Sequence, residues 1–232
     1  MRVDVIIPCL NEEAAIGGVV RGIEDERIRQ VVVVDNGSTD ASAARAGEAG
    51  AVVLFEGRRG YGQACLTGLD HLASDPPDAV LFVDGDQADD PSDIPVLLDR
   101  LGSPDHVDLV VGSRATGPRE RGALLPQARF GNWLATKLMR RFFGAPFTDL
   151  GPLRVIRWDA LQRLAMQDRN YGWTVEMQVR AVRRGLRCAE VPVHYRRRVG
   201  RSKVSGTLRG SVRAGTVILR TIVREALDAR RH

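Results

Sequence analysis

Val31 to Val34 is an unbroken β-branched run that ends at Asp35-Asn36-Gly37-Ser38-Thr39-Asp40, and this pattern recurs along the chain. Val3 to Ile7 ends at Pro8, Ala51 to Phe55 at EGRRGYGQ, Ala79 to Val83 at DGDQADDP, and Leu109 to Val111 at GSR. A strand with one wet face alternates apolar and polar residues. Runs without alternation belong to strands covered on both faces, as in a parallel sheet. Helical spacing fills the gaps: Ile16, Val19, Val20 and Ile23 share a side, an alanine-rich stretch runs through Glu48, and further helices run to about Leu72 and from Asp93 to Leu101. This alternation over the first 115 residues predicts a right-handed, doubly wound, mostly parallel α/β sheet with helices on both faces. Ligands of such sheets bind beyond the carboxyl ends of the strands, where all the chemically distinctive loops fall.

The remainder is less regular. A helix is expected from about Gln127 to Phe142, a strand over Leu153 to Ile156, a helix across TVEMQVRAVRRG, a strand in CAEVPVHY, a basic loop RRRVGRSKVSG, and a last helix from about Leu208 to Ala229. With no repeat, low-complexity tract or linker, residues 1–232 read as one domain with two functional halves, 1–115 and 116–232. A composition of 44% hydrophobic and 27% charged residues excludes a disordered chain. No apolar run approaches the roughly 20 residues that span a bilayer, and the N-terminus lacks a signal-peptide layout. Cys9, Cys65 and Cys188 are scattered and odd in number, which points to a reducing cytoplasm rather than disulfides. The net charge is +5, and Lys137 and Lys203 are the only lysines. Arginine suits phosphate ligands, nucleic acid or an anionic membrane, although genomic base composition accounts for its abundance as well.

Asp84-Gly85-Asp86 follows a buried strand. Two carboxylates two residues apart at a strand end can meet one hard cation, Mg2+ or Mn2+, and link it to a diphosphate. A lone pair of this kind is often just a helix-capping loop. The apolar strand before it and the Gly/Arg loop upstream favour the metal.

The order VIIPCLNEE, VVVVDNGSTD, RRGYGQA, FVDGDQADDP, VGSR, TDLGPLR, EVPVHYRRRVGRSK resembles family 2 glycosyltransferases of the GT-A fold, most closely the dolichyl- or polyprenyl-phosphate sugar synthase group, over about the first 205 residues. The resemblance implies a nucleotide-sugar-binding half at 1–115 and an acceptor half at 116–232. It assigns Pro8, Asn11, Glu12, Asp35, Arg59, Gly60, Gly62, Asp84 and Gly85 to the donor, with the two loop glycines letting backbone approach the nucleotide. Asp84 and Asp86 become metal ligands, and Arg114, Arg129, Arg198 and Lys203 grip phosphates. Asp149 is the candidate base near the acceptor, and Trp173 and Glu176 line the sugar or acceptor pocket, though core packing is the commoner fate of a tryptophan. The implied reaction is inverting, metal-dependent hexosyl transfer from a donor such as GDP-mannose or UDP-glucose to a polyprenyl phosphate. One departure stands out: relatives in this group often carry glutamine two residues after the second Asp, where this chain has Ala88 between Gln87 and Asp89.

In the last helix, Arg209, Arg213, Arg220 and Arg224 share one face and Val212, Leu219, Ile222, Val223 and Ala226 another. Such a helix can lie on an anionic membrane surface or pack on its own domain with a solvated arginine face. A cytoplasmic enzyme is expected, either peripheral at the inner face of the membrane or acting on a soluble acceptor. The same fold acting on another lipid or a small soluble acceptor is the enzymatic alternative. A non-catalytic nucleotide or RNA binder is the other; the intact Asp84/Asp86 pair speaks against it, and no nucleic-acid partner is expected.

Overall fold

A computed structural model of the chain describes residues 1–200 and 208–229. Its centre is one seven-stranded sheet built from β1 (Val3–Cys9), β2 (Ile28–Asp35), β3 (Val52–Phe55), β4 (Ala79–Phe82), β5 (Leu109–Ser113), β6 (Arg154–Arg157) and β7 (Cys188–Pro192), in the order β3-β2-β1-β4-β6-β5-β7. β3, β2, β1 and β4 are parallel, β6 runs antiparallel between β4 and β5, and β7 is parallel to β5. The sheet thus crosses the boundary at residue 115 without a break.

The unbroken apolar runs are explained by two cores, one on each face. Val5, Ile7, Val33 and Leu81 point to the first, against α1 (Ile16–Gly22), α2 (Ser42–Glu48) and α4 (Ile94–Leu101). Ile6, Val32, Val34, Val80 and Phe82 point to the second, against α3 (Tyr61–Leu72), α5 (Pro126–Phe143), α6 (Trp158–Leu164) and α7 (Trp173–Arg183). Successive side chains leave a strand on opposite faces, so every position must be apolar when both faces are dry. Trp173 belongs to the second core: it is 1% exposed and meets Phe82 edge-to-face at 5.9 Å. Its place is thus the core packing weighed against a pocket role in the sequence. The pair geometry is worth about 0.5–1.5 kcal/mol beyond the area it buries.

The last helix, α8 (Leu208–Ala229), packs across α5 and α7. Its inward face is Thr221, Ile222 and Glu225, while Leu219, Val223 and Leu227 are exposed. The expected apolar cluster is therefore split, with Ile222 inside and Leu219 and Val223 outside. Glu225 faces inward because Arg180 and Arg183 of α7 meet its carboxylate at 3.0 and 2.6 Å. Among the described residues, no helix is long and apolar enough to cross a membrane.

Candidate active site

β1 is followed in the sheet by β2 on one side and by β4 on the other. At such a reversal two neighbouring loops turn apart and leave a crevice beyond the carboxyl ends. A cleft of about 380 Å³ opens there, lined by Pro8 near the end of β1, Leu10 and Glu12 after it, Asn36 after β2, Arg59, Gly60 and Tyr61 at the start of α3, and Asp84, Gly85 and Asp86 after β4. Asn170, Tyr171 and Arg198 complete it from the second half of the chain.

Asp84 faces the cleft and accepts a hydrogen bond from the Tyr61 hydroxyl at 3.0 Å. Burial, then repulsion from Asp86, pushes its carboxyl up to about 6, opposed by Tyr61, Arg114 and Arg198. Asp86 accepts from the Ala88 main-chain N–H at 3.0 Å and lies 3.2 Å from Arg198 Nη2. The same Nη2 donates to Glu12 Oε1 at 3.1 Å, so one guanidinium ties the first loop to the acidic one. Asp89, 5% exposed, has no hydrogen bond to either carboxylate oxygen. Burial and the charges of Asp84 and Asp86 drive it well above the usual carboxylate range. A segment from the second half seals this acidic loop: Arg196 N–H donates to the Ala88 carbonyl at 2.8 Å and Val199 N–H to that of Asp86 at 2.9 Å.

Carboxylates crowded at a strand end, with one buried and unsatisfied, have the hard-oxygen chemistry that suits Mg2+ or Mn2+. Among the described residues, no group of three or more His, Cys, Asp or Glu side chains is gathered to enclose an ion. An ion held by this pair would keep positions open for substrate phosphates, as magnesium prefers.

The loop glycines admit a close approach by the chain itself. A Cβ at Gly60 would overlap the Arg169 carbonyl oxygen, and one at Gly62 the Asp168 carbonyl oxygen; Gly60 also sits at φ +149°. Their backbone is approached by the chain's own 168–170 loop, held by Gly62 N–H to the Asn170 carbonyl at 3.2 Å and Gln63 N–H to that of Arg169 at 3.0 Å. Asn36, in the loop after β2, holds the opposite side. Its side-chain amide donates to the carbonyls of Glu56 and Arg58, and its Oδ1 accepts the Gly60 N–H at 2.7 Å.

Several expected site residues stand back from the cleft lining. Asp35 is buried, its carboxylate taking the Ser38 N–H at 3.1 Å. Asn11, at φ +51°, accepts the Thr39 N–H at 2.8 Å, which joins the first two loops. Asp149 is wholly buried against Arg114 and does not reach the cleft as a base would. Glu176 is also fully buried and not part of the lining, which corrects its pocket assignment. Arg129 is exposed on the first turn of α5, and Lys203 lies outside the described residues. Tyr61, Asp89, Asn170 and Tyr171 were missed. Asp89 lies inside the acidic run and Tyr61 inside RRGYGQA, whereas Asn170 and Tyr171 carried no such signal.

The model for "Glycosyl transferase family 2" matches residues 4–164, and the chain belongs to this family of glycosyltransferases. It is 39% identical over 212 residues to an uncharacterized glycosyltransferase of Mycobacterium tuberculosis, covering 90% of this chain and 93% of that one. It is 33% identical over 230 residues to a dolichyl-phosphate hexose transferase of Haloferax volcanii, covering 97% and 94%. Its fold is that of glucosyl-3-phosphoglycerate synthase from Mycobacterium tuberculosis, solved with Mn2+, UDP-glucose and phosphoglyceric acid, at a TM-score of 0.79 and 23% identity over 97% of this chain and 79% of that one. The GT-A class expected from the motifs is thereby established.

Proposed function

We propose that this glycosyltransferase moves a hexose from a nucleotide sugar to a polyprenyl-phosphate lipid, with inversion at the anomeric carbon. The observation that carries the reading is the cleft where Asp84 and Asp86 face Arg198 and Glu12 beyond β1 and β4. The similarity to a dolichyl-phosphate hexose transferase along nearly the whole of both chains supports the lipid acceptor.

Pro8, Glu12, Arg59, Gly60 and Gly85 line the space for the donor, while Asp35 and Asn11 hold the loops that form it. Asp84 and Asp86 would hold Mg2+ or Mn2+, which supplies positive charge to the leaving diphosphate. Arg198 now divides its charge between Glu12 and Asp86, and a diphosphate in the cleft gives it a stronger partner. Lys203 and Arg129 are assigned to phosphate groups on the resemblance of their motifs alone. A phosphate acceptor is already anionic, so the cleft needs no strong base, which accords with Asp149 being committed elsewhere.

We assign the enzyme to the cytoplasmic face of an anionic membrane, as a peripheral protein. α5 presents Phe130 and Trp133, 61% and 52% exposed and 5.8 Å apart, with Lys137 over the Trp133 ring at 4.9 Å. The neighbouring α8 presents Leu219, Val223 and Leu227. Exposed apolar side chains edged with cations suit an anionic lipid interface.

The test is a transfer assay with UDP-, GDP- and dTDP-hexoses, each with and without Mn2+, offered polyprenyl phosphate in one arm and small phosphorylated acceptors such as phosphoglycerate in the other. Metal-dependent hexosyl polyprenyl phosphate from one donor is the expected product. Transfer only to the soluble acceptor would overturn the lipid assignment, and no transfer in either arm would remove the proposed reaction.

A further inference from the structure

Glu176 divides its buried carboxylate between two parts of the molecule. Oε2 accepts the main-chain N–H groups of Gln167 and Asp168 at 3.0 and 2.8 Å. Those residues begin the loop that ends in Asn170 and Tyr171, one wall of the cleft, and whose carbonyls press on Gly60 and Gly62. Oε1 meets Arg180 at 3.0 Å and Arg224 of α8 at 3.1 Å. One turn of α8 thus packs where this loop enters α7. Thr221 lies so close to Gly172 that a Cβ there would collide with its hydroxyl, and Ile222 is 1% exposed in the core beside Trp173.

We propose that Glu176 is a positioning residue for donor binding, and that through Arg224 it makes the seating of the C-terminal helix part of the donor pocket. The proposal rests on the cleft being the nucleotide-sugar site. A carboxylate with four charge-assisted or main-chain partners and no exposure has one arrangement that satisfies them all. If Arg224 withdraws, Oε1 loses a cation, the carboxylate turns toward Arg180, and the two N–H groups that fix residues 167 and 168 lose their acceptor geometry. Asn170 and Tyr171 then shift at the cleft. Linkage is reciprocal: if the seat of α8 changes the affinity for nucleotide, bound nucleotide changes the seat of α8 by the same factor.

The full chain with Mn2+ is compared with Arg224→Met and Arg224→Lys. Arg224 is half-exposed, so its loss leaves the fold intact, whereas Glu176→Gln disturbs a buried group and serves as a second variant. Calorimetry with the nucleoside diphosphate and steady-state kinetics with the nucleotide sugar are the readouts. Arg224→Met should raise the nucleotide Kd and the donor KM three- to tenfold, with kcat at saturating donor within twofold, and Arg224→Lys should recover most of that loss. In the unmodified chain, bound nucleotide should slow hydrogen exchange over residues 215–227; in Arg224→Met it should not. Unchanged donor affinity in Arg224→Met, or a fall in kcat with no change in KM, would overturn the proposal. Failure of the unmodified chain to bind any nucleoside diphosphate would overturn the reading of the cleft itself, and the proposal with it.

Discussion

The Asp149 carboxylate and the Arg114 guanidinium form a closed pair. Oδ2 accepts the Arg114 main-chain N–H at 2.7 Å and its Nε at 2.8 Å, and Oδ1 accepts Nη2 at 2.8 Å. Burial raises the Asp149 carboxyl, but Arg114 outweighs it and holds the group below the ordinary carboxylate value. Arg114 in turn lies over the Tyr195 ring at 5.0 Å, so the pair braces the segment that seals the acidic loop. Breaking a buried pair costs about 3–5 kcal/mol. Asp149→Asn is therefore expected to lower Tm by on the order of 10 °C, with activity falling alongside and the pH–rate profile unchanged in shape. A variant of wild-type stability without activity would return Asp149 to the role of base.

Removal of Asp86 tests the metal. Asp86→Ala should reduce transfer by about 10²–10³-fold, and the thermal shift produced by the nucleotide sugar should lose its dependence on Mn2+. Chelation of the unmodified enzyme should give the same loss, reversed by added metal. Normal turnover by the variant would refute the assignment.

Gly62 tests the loop contact. Because an added methyl meets the Asp168 carbonyl rather than a flexible side chain, the backbone itself must move. Gly62→Ala should cost about 1–3 kcal/mol and weaken nucleotide binding. Melting curves and calorimetry check both, and a variant with wild-type values in each would show that the loop yields freely.

Glu56 sets a pH dependence. Its carboxylate accepts the Arg58 guanidinium and N–H, the Thr67 hydroxyl and the Gln63 amide, and these hold it well below its ordinary value of 4.5 despite burial. A native value below the unfolded one adds stability that is fully present above the unfolded value and is lost as pH falls through the native one. The gap in urea midpoint between the native chain and Glu56→Gln should thus be widest near pH 7 and shrink below about pH 4.5. A gap that stayed constant into acid would contradict this.

The exposed aromatics test the membrane assignment. Phe130→Ser with Trp133→Ser should weaken sedimentation with phosphatidylglycerol vesicles by about tenfold per ring, while nucleotide binding in solution stays unchanged. Equal sedimentation of the two proteins would remove α5 from the membrane surface.

The parallel core and the cleft were legible because β-branched runs and the loops that stop them are local signals. Val31–Val34 and Asp84-Gly85-Asp86 each carry their meaning within a few residues. What was not legible depends on contacts between distant segments. The antiparallel insertion of β6 between β4 and β5 has no signature in RVIR, and the short helix α6 was not anticipated. Trp173 and Glu176 carry functional-looking chemistry, and only the packing of α7 shows them turned inward. The close approach of residues 168–170 to Gly60 and Gly62 comes from about a hundred positions downstream, which no local pattern announces.

The bond between Arg198 and Glu12 joins residues 186 positions apart. On a ribosome, the first loop and the acidic loop emerge long before the guanidinium that links them. Until then the acidic loop that carries Asp84, Asp86 and Asp89 has no lid. Contacts of such long sequence separation form late and make folding slow. A nascent or truncated chain ending before Arg198 would thus lack the cation that closes the cleft, whatever strands and helices it had already formed.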